Sequence, residues 1–207
     1  MIAIIDYGMG NLHSVSKAVE RLGVTNAIVT SDENELLQAD GAILPGVGAF
    51  GDAMHNLRET GLGDAVRYYA QSGKPLLGIC LGMQLLFSES EEYGRNEGLN
   101  LLPGRVERFR GDYKVPHMGW NKLEFRQPNH PLFEGLEEGH VYFVHSYHAK
   151  PEQPADLLAV TDYYQPVTAI VGRGNVFGMQ FHPEKSGPLG MQLLNQFLKL
   201  VDNRVAL

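Results

Sequence analysis

The chain has one cysteine, no surplus of basic residues and no long uninterrupted apolar run, and each shortage closes off a class of protein. A lone thiol cannot form an internal disulfide, which points to a reducing compartment and away from a small disulfide-stapled scaffold. Lysine and arginine number 17 against 24 aspartates and glutamates, a formal charge of −7, so no broad nucleic-acid footprint is expected. No apolar stretch approaches the roughly 18 residues of a membrane span. The N-terminus "MIAIIDYGMGN" lacks a basic flank and meets an acid at Asp6, so it does not read as a signal peptide. The expectation is a cytoplasmic globular protein. At 207 residues, 43% of them hydrophobic, the chain suits one domain spanning 1–207.

Apolar runs and helical periodicity alternate over the first half. "IAIID" (2–6), "NAIVT" (26–30), "GAIL" (41–44) and "PLLGIC" (75–80) read as buried strands. Between them, Asn11 can cap a helix with Leu12, Val15, Val19 and Leu22 on one face and Gly23 as its stop. "SDENELLQA" reads as a short helix, 52–71 as helical, and "MQLLFSE" (83–89) as the helix after the fourth strand. This alternation predicts an α/β fold with a mostly parallel, doubly wound, flavodoxin-like sheet. From Gly104 the texture changes to strand-like runs broken by Gly, Pro and Asn, among them "HVYFVHSYHA" (140–149) and "VFGMQF" (176–181). These predict an antiparallel section packed against the parallel one. A last helix places Leu189, Leu193, Phe197 and Leu200 on one face.

The single cysteine sits in "GICLG" (78–82), which has the form of the nucleophile elbow G-x-S-x-G with sulfur for the hydroxyl. A sharp strand-to-helix turn leaves no room for side chains at 78 and 82 and projects Cys80 outward. There a helix N-terminus favours the thiolate, and the Leu81 N–H points to where an oxyanion would form. The alternative is a small core residue, as free cysteines often are. A cysteine nucleophile needs a base and the base an orienter. "FHPEKS" offers both at a strand end, because in extended chain His182 and Glu184 face the same side. The alternative there is a strand terminus with a surface ion pair. The other histidines have no recognised zinc spacing, and "GMGNLH" has too few glycines for a dinucleotide fingerprint, so neither metal nor cofactor is expected.

Taken together, "PGVG" (45–48), "GICLGMQ" (78–84) and "HPE" (182–184) resemble the class I (triad) glutamine amidotransferases, with no departure at any catalytic motif position. The resemblance covers essentially the whole chain. Within the family, "DYGMGNLHSV", "VPHMGWN" (115–121), "YFVHSY" (142–147) and "HPEKS" are similar to the HisH group, the glutaminase subunits of imidazole glycerol phosphate synthases. The resemblance implies a Cys80–His182–Glu184 triad that hydrolyses L-glutamine through a glutamyl thioester. It also implies an oxyanion hole from the backbone of Leu81, Val47 and Gly48, and substrate contacts at Gly46, Gln84, Ser146 and Tyr147. A (β/α)8-barrel synthase subunit, HisF, would take up the ammonia as heterodimer partner, with Gly10, Asn11, Trp120 and Lys185 at the interface. Gly46 and Gly48 flank Val47 and make a peptide rotation sterically cheap, so an oxyanion donor can be presented or turned away. Two other classes stay open on the residues alone: an α/β cysteine hydrolase such as a thioesterase, and a non-catalytic binding subunit of the same fold.

Overall fold

A computed structural model describes residues 1–205. β1 (Ile2–Ile5), β2 (Ala27–Thr30), β3 (Gly41–Leu44) and β4 (Leu76–Ile79) alternate with helices, as the apolar runs predict. Asn11 caps α1 (Leu12–Arg21) by accepting the Ser14 N–H, and Asp32 caps α2 (Glu33–Gln38) by accepting from Asn34 and Glu35. The helical stretch expected over 52–71 is two helices, α3 (Phe50–Thr60) and α4 (Leu62–Gln71), broken at Gly61 with φ 75°. Beyond β4 the chain turns into α5 (Leu81–Leu85).

There the sequence reading fails: residues 87–89, expected to prolong that helix, lie in β5 (Phe87–Ser90). Phe87 is fully buried and pairs with Leu102, and a side chain on Gly98 would stand 2.1 Å from the Phe87 carbonyl. A docking strand so close overrides helix propensity. The chain continues through β6 (Asn96–Glu97), β7 (Leu102–Arg108), β8 (His117–Phe125), β9 (His140–His145) and β10 (Tyr147–Pro151). It ends with β11 (Leu157–Asp162), β12 (Pro166–Arg173), β13 (Val176–Met179) and α6 (Gly187–Val205). The single run expected over 140–149 is two strands that part at Ser146 and enter different sheets.

The main sheet has nine strands in the order β2-β1-β3-β4-β13-β12-β11-β8-β9. The first five are parallel and the rest antiparallel, so most of the antiparallel section extends the same sheet rather than packing against it. A smaller sheet, β10-β7-β5-β6, pairs β5 with β7 in parallel. The period-2 alternation of β1 divides the core. Ala3 and Ile5 pack toward α2, α3 and α4, while Ile2 and Ile4 pack toward α1 and α6. Leu189, Leu193 and Phe197 of α6 are buried as expected. Each fully buried Leu or Phe contributes about 1.5–3 kcal/mol. Among the described residues no helix is long and apolar enough to cross a membrane.

Candidate active site

Cys80 follows β4 at the carboxyl end of the parallel strands, where open α/β sheets form their crevices. Its backbone is at φ 56° and ψ −115°, a left-handed conformation costing a non-glycine residue about 1–3 kcal/mol. The surroundings enforce it. The Cys80 N–H donates to the Met179 carbonyl at 2.8 Å, tying the elbow to β13. A Cβ on Gly78 would lie 2.5 Å from the Gly82 carbonyl oxygen, and one on Gly82 only 1.9 Å from that of Leu44. The two glycines are therefore packing requirements of the turn. Cys80 itself does not project into the open as the motif suggests. It is 8% exposed, at the floor of a cleft of about 390 Å³. Nor does helix polarity offer much, since α5 has only five residues.

His182 lines the same cleft. Its Nδ1 meets Glu184 Oε1 at 2.9 Å, and both side chains are buried. The segment is not extended, as the sequence reading assumed, but a 3-10 turn over Pro183–Lys185. Ser186 closes that turn: its Oγ donates to the His182 carbonyl at 2.6 Å and accepts the Tyr142 N–H at 3.0 Å. Burial alone would lower the His182 pKa. Hydrogen bonds with Cys80 and Glu184 outweigh it and raise the pKa from 6.5 to about 10. These interactions favour the protonated ring, which shares the cleft with Cys80.

The structure gathers Val47, Gly48, Leu81, Gln84, Ser146 and Tyr147 around this pair, with Gly46 in the wall behind them. The Leu81 N–H is not open, however. It donates to the Gly46 carbonyl at 3.3 Å, so that oxygen stands where an oxyanion donor should be free. Tyr7 anchors the loop from below, its hydroxyl donating to the Pro45 carbonyl at 2.7 Å. Five cleft residues were not among the expected site residues: Glu92, Tyr93, Arg108, Val144 and His145. Glu92 accepts the Phe50 N–H at 3.3 Å, and its pKa is raised, burial being the main cause. The only signal for it was the acidic run "SESEEYGR", which reads as a solvated helix end.

Behind the cleft, His145 Nδ1 donates to the Tyr147 carbonyl at 2.8 Å and its Nε2 meets His117 Nδ1 at 2.9 Å. His148 stacks on Phe109 at 4.3 Å. Burial lowers all three pKa values, to about 3 for His145 and about 4 for His148. A histidine held neutral penalises the folded state once the unfolded chain protonates near pH 6.5, and the penalty grows until pH reaches the folded pKa. Stability should therefore fall by up to about 1.4 kcal/mol per pH unit for each such histidine from pH 6.5 toward 4. Denaturant midpoints at pH 7.5, 6 and 5 measure this; equal midpoints would mean these rings protonate freely in the fold.

Of the four residues expected at a partner surface, Trp120 is exposed on β8, close to Tyr142, and Gly187 lies against its ring. Lys185 is exposed two residues before Gly187. Gly10 lies against Pro45 and Gly46, and the Asn11 oxygen is engaged in capping α1. A larger depression of about 500 Å³, around Met1, Asp40 and Lys199, sits at the opposite end of the strands and is lined by neither cysteine nor histidine.

The family model described as glutamine amidotransferase class-I matches residues 3–201. Imidazole glycerol phosphate synthase subunit HisH of Halalkalibacterium halodurans is 60% identical over 211 residues, covering 99% of this chain and 98% of that one. The subunit of the same name from Geobacillus thermodenitrificans is 60% identical over 210 residues, with 99% and 98% covered. Among solved structures, one described as a glutamine amidotransferase has a TM-score of 0.77 at 25% identity, covering 98% of this chain and 100% of that one. PurLQS from Thermotoga maritima shares the fold at 21% identity and a TM-score of 0.73, with 99% and 98% covered.

Proposed function

The chain belongs to the class-I glutamine amidotransferases, and from that premise we propose that it is the glutaminase subunit of an imidazole glycerol phosphate synthase. The observation that carries the reading is a cysteine at a strained elbow, facing a histidine–carboxylate pair, in a chain 60% identical to HisH subunits almost end to end. In this role Cys80 attacks the side-chain amide carbon of L-glutamine as thiolate. His182, already protonated, gives its proton to the departing ammonia, leaving a glutamyl thioester. It then takes a proton from water as the thioester is hydrolysed to glutamate. Glu184 holds the ring with Nε2 toward the sulfur.

The cleft suits an amino-acid substrate. It offers a carboxylate at Glu92 and a guanidinium at Arg108, charges complementary to an α-ammonium and an α-carboxylate. Gln84 spends both Nε2 protons within the protein, on the Tyr147 carbonyl and Gln180 Oε1, which leaves its oxygen to accept from a ligand. Ammonia made here must reach its acceptor unprotonated, which supports a HisF-type barrel subunit as heterodimer partner. Gly10, Asn11, Trp120 and Lys185 are our candidates for that surface.

Measuring glutamate release from L-glutamine, with and without the synthase subunit, tests the reading; no release under either condition would overturn it. In the same assay Glu184→Gln should lower kcat by about 10²–10⁴-fold, because the neutral amide no longer fixes the tautomer or supports the imidazolium. Wild-type kinetics in that variant would reduce Glu184 to a structural role.

A further inference from the structure

Gln180, between β13 and His182, is a buried amide that the triad does not use. Its Oε1 accepts from Gln84 Nε2 at 3.0 Å, and its Nε2 points at Cys80 Sγ, 3.9 Å away. The direction of this amide is not a free choice. The Tyr147 carbonyl can only accept, and it takes one Nε2 proton of Gln84 at 3.1 Å while His145 Nδ1–H holds it from the other side. The second Gln84 proton therefore goes to Gln180 Oε1, which leaves the Gln180 N–H groups facing the sulfur. Turning the Gln180 amide over would set donor against donor at Gln84 and oxygen lone pairs against a thiolate. Both contacts are repulsive in a buried site.

We infer that Gln180 is a catalytic hydrogen-bond donor to the Cys80 thiolate, locked in the donating orientation by Gln84 and the Tyr147 carbonyl. His182 gives up its proton during the reaction; Gln180 does not. A fixed donor of this kind supports the thiolate before attack and again when it leaves the tetrahedral intermediate of thioester hydrolysis. The catalytic consequence rests on the glutaminase reading, but the donation to sulfur does not.

The test uses the full chain and iodoacetamide, which alkylates the thiolate and needs neither glutamine nor a partner. Gln180→Glu keeps the shape and still accepts from Gln84, yet presents only oxygen to the sulfur. Alkylation of Cys80 at pH 7.5 should slow by roughly 10-fold or more, the effect of losing a hydrogen bond to a charged group. Gln180→Met removes the donor without adding charge, so it should also slow alkylation, and it serves if the glutamate variant does not fold. With the synthase subunit present, kcat should fall while KM for glutamine stays within about threefold. Lower melting temperatures with alkylation per folded molecule at the wild-type rate would make Gln180 a packing residue and overturn the inference. Slowed alkylation in a chain that hydrolyses no glutamine would sink the glutaminase reading and keep this one.

Discussion

Cys80→Ser is expected to leave glutamine hydrolysis at background, lowering kcat by roughly 10⁴-fold or more, as loss of a triad nucleophile does elsewhere. The reason is in the geometry. The histidine that faces position 80 has a pKa raised to about 10, partly through its hydrogen bond with the Cys80 sulfur. That arrangement pairs the imidazole with sulfur, the better nucleophile of the two elements. A serine hydroxyl is a much weaker acid than a thiol, and the exchange also removes the sulfur's share in raising the His182 pKa, so the matched pair is lost. The substitution changes only sulfur to the smaller oxygen at a position lining the cleft, so the chain should still fold, with thermal melting little changed. Near-normal glutamate release by the folded variant would remove Cys80 from the mechanism.

Glutaminase activity should rise about 10²- to 10³-fold in kcat, with little change in KM, when the synthase subunit and its nucleotide ligand are both present. In the structure the Gly46 carbonyl accepts the Leu81 N–H, so the site shows an acceptor where a transition state needs a donor. A rotation of the Gly46–Val47 peptide would exchange C=O for N–H and release Leu81 as well. Tyr7 holds the preceding carbonyl, of Pro45, which confines the motion to that peptide. Gly48 at φ +105° tolerates dihedrals that a side chain would not. Gly10, on the proposed partner face, abuts Pro45 and Gly46, which gives a docked subunit a short route to the loop. Only transition-state binding changes, hence the effect on kcat rather than KM. Steady-state kinetics of the chain alone, with bare partner, and with partner plus nucleotide measure it. Full activity in the isolated chain would exclude the switch.

The parallel half of the fold was legible because β1, β3 and β4 are buried on both faces and so read as unbroken apolar runs. β5 was not: "LLFSES" carries the same apolar residues whether it coils or pairs, and its partner β7 decides. The division of 140–149 at Ser146 was equally hidden, since both pieces are strands and only their sheets differ. At the site, Cys80, His182 and Glu184 could be read because each lies in a short motif with its own local logic. Glu92 and Arg108 reach the cleft through tertiary approach alone, and Gln180 reaches the nucleophile beneath it in the same way. Gln180 did leave a trace, a polar residue inside the apolar run "VFGMQF". An amide in such a place has to find partners in the fold, and here they are Gln84 and the nucleophile.

The most direct test of the central claim is isotopic. L-Glutamine labelled with ¹⁵N in the side-chain amide is supplied to the chain and its synthase subunit, with the nucleotide substrate and an excess of unlabelled ammonium at neutral pH. Glutamate should form in step with product, and the product's new nitrogen should be ¹⁵N, since ammonia released at Cys80 passes to the partner before it mixes with solvent. Product formed without glutamate, or glutamate release absent altogether, would contradict the account.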